Sequence, residues 1–396
     1  MTERLYYRDS SLLEFEATIV EQGAHERKTY TILDKSAFYP TSGGQLHDTG
    51  TLNGIAVIEV IETDTDEVWH ISDNPVGKIG DTVRGVIDKD RRHMHRQMHT
   101  AQHILSQAFI RLNGYETVSV HLGQEYAAVE LDAKQMSLER VTSAEQMAQE
   151  VVAASYPVEI LFIDSNEAAS LPLRKIPARE GTIRVIRIGE FDWSACGGTH
   201  CNNTAEVVVL KITGVEKMRG RSLVKFLVGQ QALDDYHNRF SVTSQLSQQF
   251  TCHVNDLVDK VSKLAADNDN MRKEIARLQK ELMPVWAEEL AAGAQACGAY
   301  QLVCREIELS DDRHARQLAS LVAGRIDGVV LLLASERLLV AVSPESKLHA
   351  GHLAKQFCEL TDLRGGGSAA LAQIGDAEKE KMAHYREVIG KLLRDD

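Results

Sequence analysis

No stretch of this 396-residue sequence approaches twenty consecutive apolar residues, so no membrane-spanning helix is expected. The opening residues, MTERLYYRDS, lack the apolar centre of a secretory signal, and a cytoplasmic protein is expected. Cysteine is sparse: Cys196, Cys201, Cys252, Cys297, Cys304 and Cys358 are too scattered for a disulfide framework. They read as free thiols of a reducing compartment, with one metal ligand among them. Positive charge is in deficit. A formal net charge of -13 argues against polyanion binding by the whole surface, so a nucleic-acid ligand would need local basic patches. No G-x-x-x-x-G-K-[ST] loop occurs, and no ATP use is expected.

What is present suits a globular protein. The length favours two or three domains, and 43% apolar residues can build substantial cores. Three basic stretches are candidates for a local patch: residues 84–96, residues 174–187 (Arg174, Lys175, Arg179, Arg184, Arg187) and residues 211–225 (Lys211, Lys217, Arg219, Arg221, Lys225). Each competes with the simpler reading of scattered surface charge.

The hydrophobic pattern implies an α+β protein in four parts. Residues 1–85 carry strand candidates LEFEATIVEQ, KTYTILD and IAVIEVIE around the turn-rich SAFYPTSGGQLHDTG, and read as a small β-barrel or sandwich. Residues 86–230 form an α+β block. It opens with a helix over 88–113 that aligns Met98, Ile104, Leu105, Ala108 and Phe109 and stops at Asn113-Gly114. Strands at TVSVHLG and YAAVELD, a helix begun by Ser137, and strand-like VEILFID, TIRVIRIG and AEVVVLKITGV follow. Residues 231–285 are helical. Val254, Leu257, Val261, Leu264, Asn268, Met271, Ile275, Leu278 and Leu282 step by alternating three and four, a heptad seam with Asn268 at one a position. Both an antiparallel hairpin and a homodimer fit that seam, and Pro284 is expected to end or kink the helix. Residues 286–396 alternate strands and helices as a small α/β unit, with a Gly-rich turn at 365–367 before a terminal helix.

Two short segments carry metal-ligand spacing. His99 and His103, at i and i+4, stack on one helical face. Cys196-Gly-Gly-Thr-His200 allows a thiolate and an imidazole to converge across a tight glycine turn. Each half has a bland alternative: a solvated His-rich helix that also holds His93 and His95, or a plain glycine turn. Together they make a His3Cys set suited to one zinc ion per chain. Cys201 competes as a ligand but adjoins His200, where extended backbone sends side chains apart.

HTAQH (99–103) followed by CGGTH (196–200) resembles the editing domain of alanyl-tRNA synthetase and its free-standing AlaX relatives. SAFYPTSGGQLHDTG (36–50) resembles the family's glycine-rich motif, SVHLG (119–123) a strand lining its pocket, and GGGSAALAQIG (365–375) a motif of the synthetase's C-terminal domain. In motif order the chain looks like the long form of AlaX. The resemblance implies a zinc-dependent hydrolase that deacylates Ser-tRNA(Ala), with Gly-tRNA(Ala) a further candidate, and that charges no tRNA because the aminoacylation domain would precede this region. A synthetase pocket sized for alanine cannot strongly reject glycine or serine, so a second hydrolytic site supplies the discrimination. Thr100 and Thr199, beside metal ligands, are candidates to contact water or substrate, as are His121, Gln45, Gly43 and Gly44. Gly365, Gly366 and Gly367, preceding a helix, are candidates with Arg219 and Arg221 to hold tRNA phosphates. The competing functions are editing of Ser-tRNA(Thr), by a related site in threonyl-tRNA synthetases, and a noncatalytic zinc-stabilised tRNA-binding protein.

Overall fold

The computed structural model describes residues 2–175, 181–309 and 311–394. The chain divides into two compact units, 1–244 and 245–396.

In the first unit, β1 (Glu3–Arg4) leads through a 3-10 turn into β2 (Glu14–His25), followed by β3 (Lys28–Leu33), β4 (Lys35–Ser36), β5 (Gly50–Leu52), β6 (Ile55–Val57), β7 (Glu59–Glu62), β8 (Val68–Ser72) and β9 (Thr82–Ile87). Seven of these form one sheet in the order β6-β5-β9-β2-β3-β8-β7. Its two edges are consecutive in the chain, and the Ile58 amide reaches the Ile71 carbonyl, so the sheet curls into a nearly closed barrel. IAVIEVIE, which reads as one strand, is two, broken at Ile58. Alternation along β2 points Phe15, Ala17 and Ile19 inward beside Leu33, Phe38, Leu52 and Val83. Opposite Phe15 stands Gly85, where a Cβ would lie 2.3 Å from the ring.

α1 (Lys89–Asn113) begins at Asp88, whose carboxylate accepts from the amides of Asp90 and Arg91, and ends where Gly114 takes a left-handed conformation (φ 68°). From His95 to Ser106 every side chain is buried. The apolar stripe meets a core with Leu122, Val129, Ile186 and Phe226, while the polar face is covered as well. β10 (Thr117–Leu122), β11 (Ala127–Leu131), α2 (Leu138–Ala153), β12 (Val158–Asp164), α3 (Ser165–Ala168), β13 (Thr182–Ile188), β14 (Asp192–Ala195), β15 (Leu210–Met218) and β16 (Arg221–Val228) complete this layer. They make two antiparallel sheets, β10-β11-β16-β15 and β12-β13-β14. The Ser137 hydroxyl accepts from the Arg140 amide to start α2. AEVVVLKITGV is not one strand: Asn203 caps a 3-10 turn over Thr204–Val207, Val208 has φ 64°, and β15 starts at Leu210. α4 (Gly229–Phe250) runs out of this unit.

The second unit holds α5 (Leu257–Ala292), β17 (Gln295–Cys297), β18 (Tyr300–Ile307), α6 (Asp312–Ala323), β19 (Gly328–Ala334), β20 (Arg337–Val342), α7 (Ala350–Thr361), β21 (Gly365–Gly367), β22 (Leu371–Ile374) and α8 (Met382–Leu392). Pro284 does not end α5. It forfeits one backbone hydrogen bond, but Met283 and Ala287 are buried on either side and the helix continues to Ala292. The sheet runs β17-β18-β19-β20-β22-β21, with β18 and β19 parallel. Gly365–Gly367, expected as a turn before a helix, is an exposed edge strand paired to β22. Its amides therefore do not form a helix N-terminus. No helix among the described residues is long and apolar enough to cross a membrane.

Candidate metal centre

α1 supplies His99 and His103, one turn apart, with ring centroids 5.3 Å from each other. The other half arrives from β14: the Cys196 amide bonds the Arg184 carbonyl of β13, and the chain then folds through Gly197 and Gly198 to His200. Gly198 is required there, because a Cβ would lie 2.1 Å from Cε1 of His99. Cys196 Sγ is 3.3 Å from His99 Nε2 and 3.8 Å from His200 Nε2, and His200 Nε2 is 3.4 Å from His103 Nε2. All four donor atoms lie within 4.8 Å of one another. A tetrahedral zinc with ordinary Zn–N and Zn–S lengths has donor–donor edges of about 3.3–3.6 Å; the shorter separations here match that, and the widest would have to close by about 1 Å to hold such an ion.

The outer ring nitrogens show the same design. His99 Nδ1 meets Gln45 Oε1 at 2.8 Å, His103 Nδ1 meets Asp192 Oδ2 at 3.0 Å, and His200 Nδ1 meets the Gly198 carbonyl at 3.2 Å. Each partner is an acceptor for an Nδ1–H, which turns each Nε2 toward the common point, where it could offer its lone pair to an ion once its own proton has left. Burial alone would raise the Cys196 thiol, but the positive fields of His99 and His200 and a hydrogen bond from His103 hold it well below the ordinary thiol range. Burial would likewise raise the Asp192 carboxyl, yet the His103 hydrogen bond and the Arg174 charge bring it down to about 2.

Gln45 comes from the SGGQ loop of the barrel. Ser42 and Gln45 exchange backbone hydrogen bonds across Gly43 and Gly44, at φ 56° and 83°. A Cβ on Gly44 would strike the Val120 carbonyl at 2.4 Å, and the Leu122 amide bonds the Gly44 carbonyl, which joins the loop to β10. Gln45, fully buried, also accepts from the Thr199 amide and donates to the Thr199 hydroxyl at 2.9 Å. The Thr100 hydroxyl accepts from the Cys201 amide, which fixes the chain just past His200. Cys201 itself stays outside the donor set, and burial pushes its thiol up to about 12.

Other candidates lie elsewhere. His121 is exposed and tilts against Tyr126. Arg221 pairs with Glu130, Lys211 with Glu145 and Lys225 with Glu216, while Arg219 sits exposed in the turn between β15 and β16. In the 174–187 stretch Arg174 holds Asp192, Arg184 is buried, Arg187 pairs with Glu190, and Arg179 lies outside the described residues. Arg174, Arg187, Lys211, Arg221 and Lys225 are thus each matched by a local carboxylate. Sequence reading missed Asp192 and placed Arg174 and Arg96 in candidate basic patches rather than at this site, where Arg96 Nε donates to the His200 carbonyl at 2.8 Å.

Residues 183–222 match the family "Threonyl and Alanyl tRNA synthetase second additional domain", and residues 2–91 match "tRNA synthetases class II (A)". The alanine–tRNA ligase of Pyrococcus abyssi is 30% identical over 99% of this chain, which spans 44% of that relative. The alanine–tRNA ligase of Archaeoglobus fulgidus is 29% identical over 94% of the chain and 42% of its own length, so the chain spans less than half of these ligases. The alanyl-tRNA editing protein AlaX-L of Pyrococcus horikoshii is 27% identical over 98% of this chain and 100% of its own length. Among solved structures, the C-Ala domain of the Aquifex aeolicus alanyl-tRNA synthetase covers 26% of this chain at 22% identity and a TM-score of 0.23.

Proposed function

We propose that this chain, which resembles an alanyl-tRNA editing protein from end to end, is a trans-editing hydrolase that removes serine, and with it glycine, from mischarged tRNA(Ala). The observation that carries the reading is the convergence of His99, His103, Cys196 and His200 on one point. The substrate bond is an ester between the amino acid and the terminal ribose. Water adds to the carbonyl carbon, and the ribose oxygen leaves with a proton. A bound zinc, held by His99, His103, Cys196 and His200, would supply fixed orientation to the site beside that carbonyl.

The protein's own residues build the frame. His99 and His103 hold the floor of the site on α1, and the Cys196–His200 loop closes over it. Gln45 locks that loop to the barrel, and Thr199 and Thr100 set its backbone path on either side of His200. Four protein donors match a closed site. In this reading the ion's first service is to shape the pocket wall, and the Thr199 hydroxyl, already accepting from Gln45, keeps its own proton for a polar substrate group. Arg219 and the edge strand Gly365–Gly367 are proposed tRNA contacts, the latter through exposed backbone.

A second copy of the chain is the proposed occupant of the α5 seam. Val261, Leu264, Met271, Ile275, Leu278 and Leu282 are each 44–57% exposed. β-Branched residues at several a positions and leucines at most d positions favour a parallel pair. In that register Asn268 meets its own counterpart, and Asp267 at g faces Arg272 at the next e.

The deciding experiment is deacylation of Ser-tRNA(Ala), with Ala-tRNA(Ala) and Ser-tRNA(Thr) alongside, for wild type and Cys196→Ala with zinc content recorded. Zinc-linked loss of serine from tRNA(Ala), with the alanyl ester spared, is expected. Loss from tRNA(Thr) instead would move the site to the threonine system, and bound zinc without turnover would make the protein a tRNA-binding module.

A further inference from the structure

The three histidines are served unequally at their outer nitrogens. His99 faces a neutral amide and His200 a carbonyl of its own loop, whereas His103 alone faces a carboxylate. Asp192 is 1% exposed and nearly saturated with donors. Its Oδ1 accepts from Arg174 Nε at 3.0 Å, and its Oδ2 accepts from His103 Nδ1, from Arg174 Nη2 at 2.7 Å and from the Ser194 hydroxyl at 2.9 Å. The Arg174 amide is fixed on the Trp193 carbonyl, next to the residue its side chain grips. Arg174 Nη2 also approaches the His103 carbonyl at 3.5 Å, so one guanidinium touches both the carboxylate and the helical turn that carries the ligand.

We infer that Asp192 is the positioning residue for His103, aligned by Arg174 and Ser194, and that this relay sets how tightly the metal is held. It rests on the zinc reading above. A carboxylate buried merely to neutralise Arg174 would be satisfied by the two-point grip of the guanidinium. Here the oxygen nearest His103 is shared by three donors, an arrangement that fixes the ring's rotation and its Nδ1–H tautomer. The negative charge behind the imidazole also strengthens Nε2 as a donor. The relay reaches the metal from the chain preceding β13, a segment that contributes no ligand of its own.

The test uses the full chain as wild type, Asp192→Ala, Asp192→Asn and Arg174→Met. Zinc affinity is measured by competition with a chelator, and the cobalt-substituted proteins are compared by their ligand-field absorption. Far-UV circular dichroism and melting of the metal-free forms check folding. Wild type is expected to bind one zinc per chain, and Asp192→Ala to bind on the order of 10–100-fold more weakly with a shifted cobalt spectrum. Asp192→Asn, which keeps an acceptor for Nδ1–H, should lose less, and Arg174→Met should fall between. Zinc affinity of Asp192→Ala within about twofold of wild type, at unchanged cobalt absorption, would overturn the inference. If that variant does not fold, Asp192→Asn and Arg174→Met decide by the same criterion. A wild type that takes up no zinc would instead remove the metal reading, and the relay with it.

Discussion

Replacing Gln45 by leucine, close in size and apolar, probes the link between barrel and metal site most directly. Gln45 is fully buried and makes three hydrogen bonds, to His99 Nδ1, to the Thr199 amide and to the Thr199 hydroxyl. Leucine strands two buried N–H donors, each costing about 1–3 kcal/mol, so the variant should lose roughly 2–6 kcal/mol. His99 also loses the acceptor that fixes its tautomer, and zinc affinity should fall on the order of 10–100-fold. Gln45→Glu is the control: its carboxylate accepts from both N–H groups and the Thr199 hydroxyl can turn to donate, so it should retain most of the zinc affinity. Urea unfolding with and without a chelator measures the stability term, and chelator competition measures the metal term. A Gln45→Leu protein within about 0.5 kcal/mol of wild type, binding zinc within about twofold, would refute the assignment of Gln45 as the lock on the site.

Asp48→Ala leaves Arg92, 1% exposed, without its partner and should cost about 3–5 kcal/mol in urea unfolding; a loss under about 1 kcal/mol would show that the carbonyls of Ser10 and Ala37 suffice. His70 is buried against Ser36 and the Thr31 carbonyl, and burial lowers it to about 4. As pH falls from 6.5 to 4 the unfolded chain binds a proton at this residue that the folded chain refuses, so His70 contributes a loss of about 3 kcal/mol across that window, and His70→Gln should make the drop smaller by that amount in a series of melts. Asn268→Val removes the one polar layer of the α5 seam; sedimentation equilibrium should show a tighter assembly with freer stoichiometry, and an unchanged monomer in both proteins would dismiss pairing through α5.

Much of the site was legible because its ligands come in short local patterns. The i, i+4 histidines and the two glycines inside CGGTH announce a shared point even without knowledge of what brings them together. Two of the barrel strands, β2 and β3, and the C-terminal stop of α1 were readable for the same reason: alternation and a terminal glycine are local signals. What stayed hidden is long-range. His95 to Ser106 looks half-polar in sequence, yet both faces are covered, because the polar face meets Gln45, Asp192 and the CGGTH loop rather than water. Asp192 could not be distinguished from a surface acid until its strand was placed beside His103. Of the two outcomes open at Pro284 the helix does not end there, since Met283 and Ala287 are buried on either side, and GGG misled because glycine-rich composition does not reveal that β22 lies alongside to pair with it.

The bond from Gln45 to Thr199 closes a loop of 154 residues. Contacts of such span form only after the intervening chain has been organised, since closing them early costs entropy that nothing yet repays. Gln45 cannot reach His99 until the barrel is built, nor Thr199 until β13 and β14 have paired. In the proposed reading zinc capture would therefore be a late event in maturation, and a tightly held ion would certify that distant halves of the first unit have found each other. A translation-quality enzyme of this design would carry its own inspection step, with hydrolytic competence withheld from any chain whose barrel is misassembled.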